Sequence, residues 1–116
     1  MLNNPELRVT NPDIVTVAEN LQELVSQCQY GVGVQLNSES VSDLSTYSME
    51  DFDFEIVGSE IASSKLLNLY FGKREIGISN LKEMILYQAT DADRIVRITL
   101  VCENRQIIIF MDIDNI

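Results

Sequence analysis

Carboxylates and tyrosines are the side chains in this sequence with which acid–base chemistry could be built. The chain has no histidine, the commonest general base near neutral pH, so catalytic triads and cysteine–histidine pairs are excluded. Four tyrosines could act beside a Glu or Asp, and these are Tyr30, Tyr47, Tyr70 and Tyr87. No spacing in the sequence selects one such pair over the others. We therefore predict no catalytic residue and expect that the protein is not an enzyme.

Metal and nucleotide motifs are incomplete in this chain. Cys28 and Cys102 are separated by most of the sequence, whereas a zinc site needs clustered cysteines and histidines. The segment Gly31 to Gly33 contains two glycines but not the third that a dinucleotide fingerprint requires. It also follows a predicted helix, whereas the fingerprint opens one. Gly72 and Lys73 lack the upstream glycine and the following Ser or Thr of a phosphate loop. The sequence predicts no metal site and no cofactor.

An alternating acidic segment, Asp51 to Val57, is the most distinctive charged motif. Its acids occupy every second position, so a strand would direct Asp51, Asp53 and Glu55 outward. The same strand would direct Phe52, Phe54 and Ile56 to the core. A calcium loop is not predicted, because Ile56 stands at the glycine position and Ala62 at the closing glutamate position. The alternatives left open are a solvated acidic strand, a partner-binding face and a cation site.

Charge is distributed unequally along the chain. The sequence has 8 basic and 18 acidic residues, a formal net charge of −10, and Arg8 is the sole base among residues 1–64. That half carries the entire net charge, because bases and acids balance from residue 65 onward. A negative potential of this kind repels nucleic acid and anionic membranes and attracts basic partners. The alternative is an acidic surface that only keeps the protein in solution.

The amino-terminal half is predicted to contain one helix and two strands. Asn11, Pro12 and Asp13 predict a helix start, with Asn11 as the capping residue. Apolar residues then recur at three- and four-residue steps from Ile14 to Cys28, which predicts an amphipathic helix of about 16 residues that Gly31 and Gly33 end.

After this helix we predict a strand over Tyr30 to Leu36. A loop over Asn37 to Met49 follows, with one short helical turn at Val41 to Leu44 as a variant. The acidic strand comes next.

The carboxyl-terminal half is predicted to consist mainly of paired strands. Lys65 to Ile78 indicates a hairpin around Gly72, and a helix over Ile61 to Tyr70 is the competing interpretation. A helix after Ser79 is favoured over a strand at Met84 to Tyr87, on the spacing of Leu81, Met84, Ile85 and Gln88.

The β-branched runs Arg94 to Cys102 and Gln106 to Ile113 predict two antiparallel strands. Within the second run, Ile107 to Met111 is apolar on both sides, which predicts a central strand covered on both faces.

These elements predict a single α+β domain over residues 1–116, with the amino-terminal helix packed on an antiparallel sheet. The longest apolar run, Ile107 to Met111, is far shorter than the roughly 20 residues of a membrane-spanning helix. The amino terminus lacks the pattern of a signal peptide, so we expect a cytoplasmic protein with reduced cysteines.

The charge pattern predicts a non-catalytic protein that binds a basic partner, such as an immunity protein that neutralises a nuclease-type toxin. The segment from Glu39 to Glu60 contains seven acids and no base. The predicted contact residues are Glu39, Asp43, Tyr47, Glu50, Asp51, Phe52, Asp53, Glu55 and Glu60. One alternative is a small acidic secretion or assembly chaperone, expected to be a dimer with an exposed apolar groove. Another is a structural subunit with a merely solubilising surface. The sequence does not predict the oligomeric state.

Overall fold

The computed structural model describes residues 6–26, 31–38, 42–58, 65–78, 81–87, 95–103 and 105–112. Within these ranges the chain forms one α-helix, α1 (Ile14–Ser26), a 3-10 turn (Met49–Asp51) and nine strands. The strands are β1 (Glu6–Thr10), β2 (Gly31–Ser38), β3 (Ser42–Ser48), β4 (Phe52–Gly58), β5 (Lys65–Phe71), β6 (Arg74–Ile78), β7 (Glu83–Tyr87), β8 (Ile95–Val101) and β9 (Arg105–Asp112). The predicted α+β class is confirmed in its broad form, with strand as the dominant element.

Helix α1 begins where the sequence predicts, but with a different cap. Asp13 Oδ1 accepts a hydrogen bond from the Val15 amide at 3.3 Å, and the Asp13 carbonyl accepts one from the Val17 amide at 3.1 Å. Asp13 is therefore the capping residue. Asn11 instead turns the chain out of β1 with a φ of 51°, a left-handed conformation that asparagine tolerates. Its amide donates to the Lys82 carbonyl at 2.8 Å.

Six strands form one antiparallel sheet in the order β1-β7-β8-β9-β2-β3. The predicted carboxyl-terminal pair is confirmed as β8 and β9, and β9 is central, between β8 and β2. Its residues Ile107, Ile109 and Met111 are buried in the core. Ile108 and Phe110, on the opposite face, are only half-buried, so coverage of β9 differs between its two faces.

The remaining strands form an antiparallel sheet in the order β4-β5-β6. The predicted hairpin is confirmed, and β5 occupies the segment for which a helix was the competing interpretation. Gly72 has a φ of 61° at the first position of the two-residue turn, where a side chain would be strained. A Cβ there would also lie 2.8 Å from the Tyr47 ring.

Two strands replace other predicted structures. Ser42–Ser48 is an edge strand, not a loop or helical turn, because its Ser- and Thr-rich backbone pairs along β2. Glu83–Tyr87 is a strand, not a helix, because β1 and β8 flank it and bury Met84 and Leu86 on one face. In both segments backbone pairing with distant residues overrides the local sequence preference.

Gly31 and Gly33 both belong to β2, which extends the predicted strand to Ser38. The described part of helix α1 spans Ile14–Ser26, and residues 27–30, through which the helix was predicted to continue, lie outside the described residues. At Gly33 a Cβ would overlap the ring of Phe110 on the neighbouring strand, whose Cδ2 atom would be 2.9 Å away. This glycine therefore permits close packing within the sheet.

One hydrophobic core joins the helix and both sheets. Fully buried residues include Leu21 of α1, Leu69 of β5 and Ile98 of β8, and the helix lies against β4 and β5. Full burial of such a side chain contributes roughly 1.5–3 kcal/mol to folding. Within the described ranges, the chain has no helix of the length and apolarity that a membrane span requires.

Candidate functional site

The outer surface of the three-stranded sheet gathers carboxylates from two strands. Strand register places Asp53 opposite Tyr70, Glu55 opposite Asn68, and Tyr70 opposite Glu75. We call these five residues the acidic face. The three carboxylate side chains are exposed, Tyr70 is half-buried, and Asn68 is only 9% exposed. The face therefore has a polar base with charged groups around it.

A hydrogen-bond network fixes the middle of the acidic face. The Tyr70 hydroxyl donates to Glu55 Oε1, and Asn68 Nδ2 donates to the Tyr70 hydroxyl at 3.3 Å and to Glu75 Oε1 at 3.4 Å. The bond to the Glu55 carboxylate raises the pKa of Tyr70 above its ordinary value. Because its pKa is raised, the Tyr70 hydroxyl keeps its proton and donates at neutral pH, and the network positions the carboxylates of β4 and β6.

A second acidic pair lies beside β4 on the 3-10 turn. Glu50 and Asp51 are exposed, and Ser48 Oγ donates to Asp51 Oδ2 at 3.1 Å. Among the residues that the structure describes, no lysine or arginine pairs with these two acids or with Asp53, Glu55 and Glu75. Five exposed carboxylates in this region thus have no ion-pair partner among the described lysines and arginines.

The two predicted aromatic contact residues pack inside the protein. Phe52 is 6% exposed and belongs to the core. Tyr47 is half-buried and packs edge-on against Phe71, with 5.4 Å between the ring centroids. Phe52 is therefore not accessible to a partner, and Tyr47 ties β3 to the β5–β6 hairpin. Phe54 follows the predicted inward direction and is half-buried, whereas Ile56 is 40% exposed.

The predicted contact segment is divided between two sheets. Asp43 lies on β3 of the six-stranded sheet, whereas Asp53 and Glu55 lie on β4 of the three-stranded sheet. Glu39 and Glu60 fall outside the described residues. The structure thus brings together Asp53 and Glu55, with Glu50 and Asp51 on the 3-10 turn that precedes β4.

Sequence reasoning missed Asn68 and Glu75, and it named Tyr70 only as one of four tyrosines that could act beside an acid. The available signal was the hairpin itself, in which these positions alternate with the apolar residues Leu69 and Ile76. The pairing of β4 with β5, which brings Tyr70 beside Asp53 and Asn68 beside Glu55, had no local signature.

The opposite surface of the molecule carries a different feature, a groove across the six-stranded sheet. We call it the sheet groove. Its volume is about 520 Å³, and it is lined by Gln35, Ile85, Tyr87, Ile95, Arg97, Thr99, Ile108 and Phe110. Register places Tyr87, Arg97 and Phe110 in one row across β7, β8 and β9, and Ile85, Thr99 and Ile108 in the next. No helix or strand among the described residues covers these two mainly apolar rows.

Among the described residues that line the sheet groove, Arg97 is the only charged one. Its guanidinium lies 4.6 Å from the centroid of the Tyr87 ring, a cation–π contact. No carboxylate pairs with it in the described part of the chain. Arg8, on the same side of the sheet, differs because it pairs with Glu83 at 2.6 Å.

The described chain forms a small, sheet-dominated α+β domain that exposes the acidic face and the sheet groove. The described residues contain no group of three Cys, Asp or Glu side chains arranged to hold a metal ion. Burial raises the pKa of the half-buried Cys102 thiol. No protein-family model, curated protein or solved structure matches the chain.

Proposed function

We propose that this chain is a non-catalytic protein-binding domain that docks a basic protein through its acidic face. The observation that carries the proposal is the set of five exposed carboxylates at and beside β4 and β6, which form no ion pair with a described lysine or arginine. The most specific form is a stoichiometric inhibitor or immunity protein that acts in the cytoplasm on a nuclease-type toxin. Such a toxin grips nucleic acid with a basic cleft, and an acidic protein surface can occupy that cleft.

The spacing of the carboxylates supports electrostatic steering. Asp53 and Glu55 are two residues apart on β4, a separation of about 6.8 Å, which is within the Debye length of about 8 Å at physiological ionic strength. Their potentials therefore add, and Glu75, two strands away at about 9.6 Å, extends the negative surface across the sheet. The Asn68 and Tyr70 network holds Glu55 and Glu75 in place, so less side-chain entropy is lost on binding.

A charge-reversal experiment with a matched control tests the proposal. The tagged protein is used to retain partners from lysate of the source organism at low and high salt, and the retained basic protein is then purified for stopped-flow association. Asp53→Lys with Glu75→Lys should lower the association rate at least about tenfold, because it inverts the steering potential. The control is the double variant Glu19→Lys with Glu23→Lys, which makes the same change in net charge on the exposed side of α1. This control should lower the association rate much less.

The two variants also show how the proposal fails. Equal effects of both double variants would mean that net charge alone governs association. If neither variant changes binding, or if no basic protein is retained, the acidic face is a solubilising surface and the inhibitor proposal is wrong.

The sheet groove favours one second candidate, a secretion or assembly chaperone that holds an apolar segment of its client. Binding of this kind buries apolar surface and should persist at high salt, whereas docking on the acidic face should weaken. Ile108→Glu should abolish client binding by a chaperone and leave binding of a basic partner intact.

A further inference from the structure

The sheet groove is hollow because small residues lie between large side chains on this face of the sheet. Phe110 lies against Gly33, which has no side chain, and Thr99 separates Ile85 from Ile108 across the strands. The large side chains thus stand around a hollow of about 520 Å³. Sites for small molecules have volumes of roughly 300–1,000 Å³ and are lined mainly by apolar side chains with few polar groups. The groove matches that description.

The charge in the groove indicates the chemistry of its occupant. The Arg97 guanidinium lies over the Tyr87 ring, and its N–H groups have no acceptor among the described residues. A guanidinium held in this way presents paired donors that match a carboxylate. The groove strands β7, β8 and β9 also come from the half of the chain in which acids and bases balance.

We propose that the sheet groove binds a small amphipathic carboxylate, with an apolar body over Ile85, Ile108 and Phe110 and the carboxylate at Arg97. This site is separate from the acidic face and goes beyond the protein-binding function proposed above. Favourable contacts would come from burial of the apolar body, and selectivity for the acid from the charge-assisted hydrogen bonds of Arg97.

Two other occupants fit the observations less well. An extended peptide binds a sheet through the backbone groups of an edge strand, whereas the groove lies over β7, β8 and β9, inside the sheet. A second copy docked face to face would place Arg97 against the same apolar rows.

Decanoate and its uncharged analogue 1-decanol test the proposal. Amide chemical shifts and calorimetric titration should place decanoate at β7, β8 and β9. Arg97→Met should weaken decanoate binding about tenfold and leave 1-decanol binding nearly unchanged, because only the acid uses the guanidinium. Arg97→Lys should give an intermediate loss, since it keeps the charge without the paired donors.

Matched variants complete the test. Arg8→Met removes a paired arginine from the same face and should leave both affinities unchanged. Asp53→Lys with Glu75→Lys should also leave decanoate binding intact, which separates this site from the acidic face. Absence of decanoate binding, or an equal loss of both probes with Arg97→Met, would overturn the proposal. Shifts in groove resonances with protein concentration alone would also overturn it, and would indicate self-association instead.

Discussion

Replacing Gly33 with alanine should destabilise the protein even though the residue lies in an ordinary strand. Gly33 is in β2 and has no positive φ, so the backbone itself accepts alanine. The added methyl group would overlap the Phe110 ring, which lies against Gly33 from β9. The ring must move into the sheet groove, where it loses contacts with the strand below it.

The expected magnitude is the difference between two opposing effects. Overpacking of this kind costs about 1–3 kcal/mol, and we take about 2 kcal/mol because the ring is half-buried and can move. Alanine in place of glycine reduces the entropy of the unfolded chain and stabilises by about 0.5–1 kcal/mol. Gly33→Ala should therefore lower the free energy of unfolding by about 1 kcal/mol.

Introducing Gly33→Ala into a Phe110→Ala variant tests whether the ring causes the destabilisation. Without the ring there is no overlap, so Gly33→Ala should become stabilising by about 0.5–1 kcal/mol. The two substitutions should then show a coupling of about 2 kcal/mol in a double-mutant cycle, well beyond the deviation expected of independent sites.

Urea unfolding of the four proteins, followed by far-ultraviolet circular dichroism, gives the required free energies. The reasoning is refuted if Gly33→Ala destabilises both backgrounds equally, because the cost would then come from the backbone. A stabilising effect in the unmodified protein would refute the close packing at Gly33.

Three further predictions concern the acidic face, the thiol and the helix cap. Because the pKa of Tyr70 is raised above 10.0 by its bond to Glu55, one tyrosine should titrate late in alkaline absorbance spectra, and Tyr70→Phe should remove that component. The stability from this bond should be complete below pH 10.0 and decline as the pH rises through the folded pKa. Cys102 should react slowly with a disulfide reagent at pH 8 and faster in urea, since burial raises its pKa; fast reaction in the native protein would contradict this. Asp13→Ala should lower the free energy of unfolding by about 0.5–2 kcal/mol through loss of the Val15 bond, and Asp13→Asn, the control, should retain most of it.

Elements with strong local signals could be predicted from the sequence. Proline and an acid before an amphipathic repeat indicated the start of α1, and Gly72 between two apolar runs indicated the β5–β6 hairpin. The β-branched runs at the carboxyl end indicated β8 and β9. In each case a few neighbouring residues determine the backbone conformation, so the information is local.

Where the local sequence signal is weak, the secondary structure of a segment depends on the strands beside it in the sheet. Ser42–Ser48 has the composition of a loop and becomes a strand only because β2 offers it a hydrogen-bonding partner. Glu83–Tyr87 has spacing compatible with a helix and becomes a strand because β1 and β8 lie on either side. The sequence alone contains no record of which strands will be neighbours.

The two candidate sites show the same division. The sequence by itself determined the excess of acids and the alternation that exposes Asp53 and Glu55, because periodicity of two assigns side chains to opposite faces of any strand. Only the tertiary structure decided that Glu75 joins them and that Arg97 lies over Tyr87 in a groove, with no carboxylate partner among the described residues. These features arise where residues distant in the sequence become adjacent, and that adjacency is set by packing of the whole core.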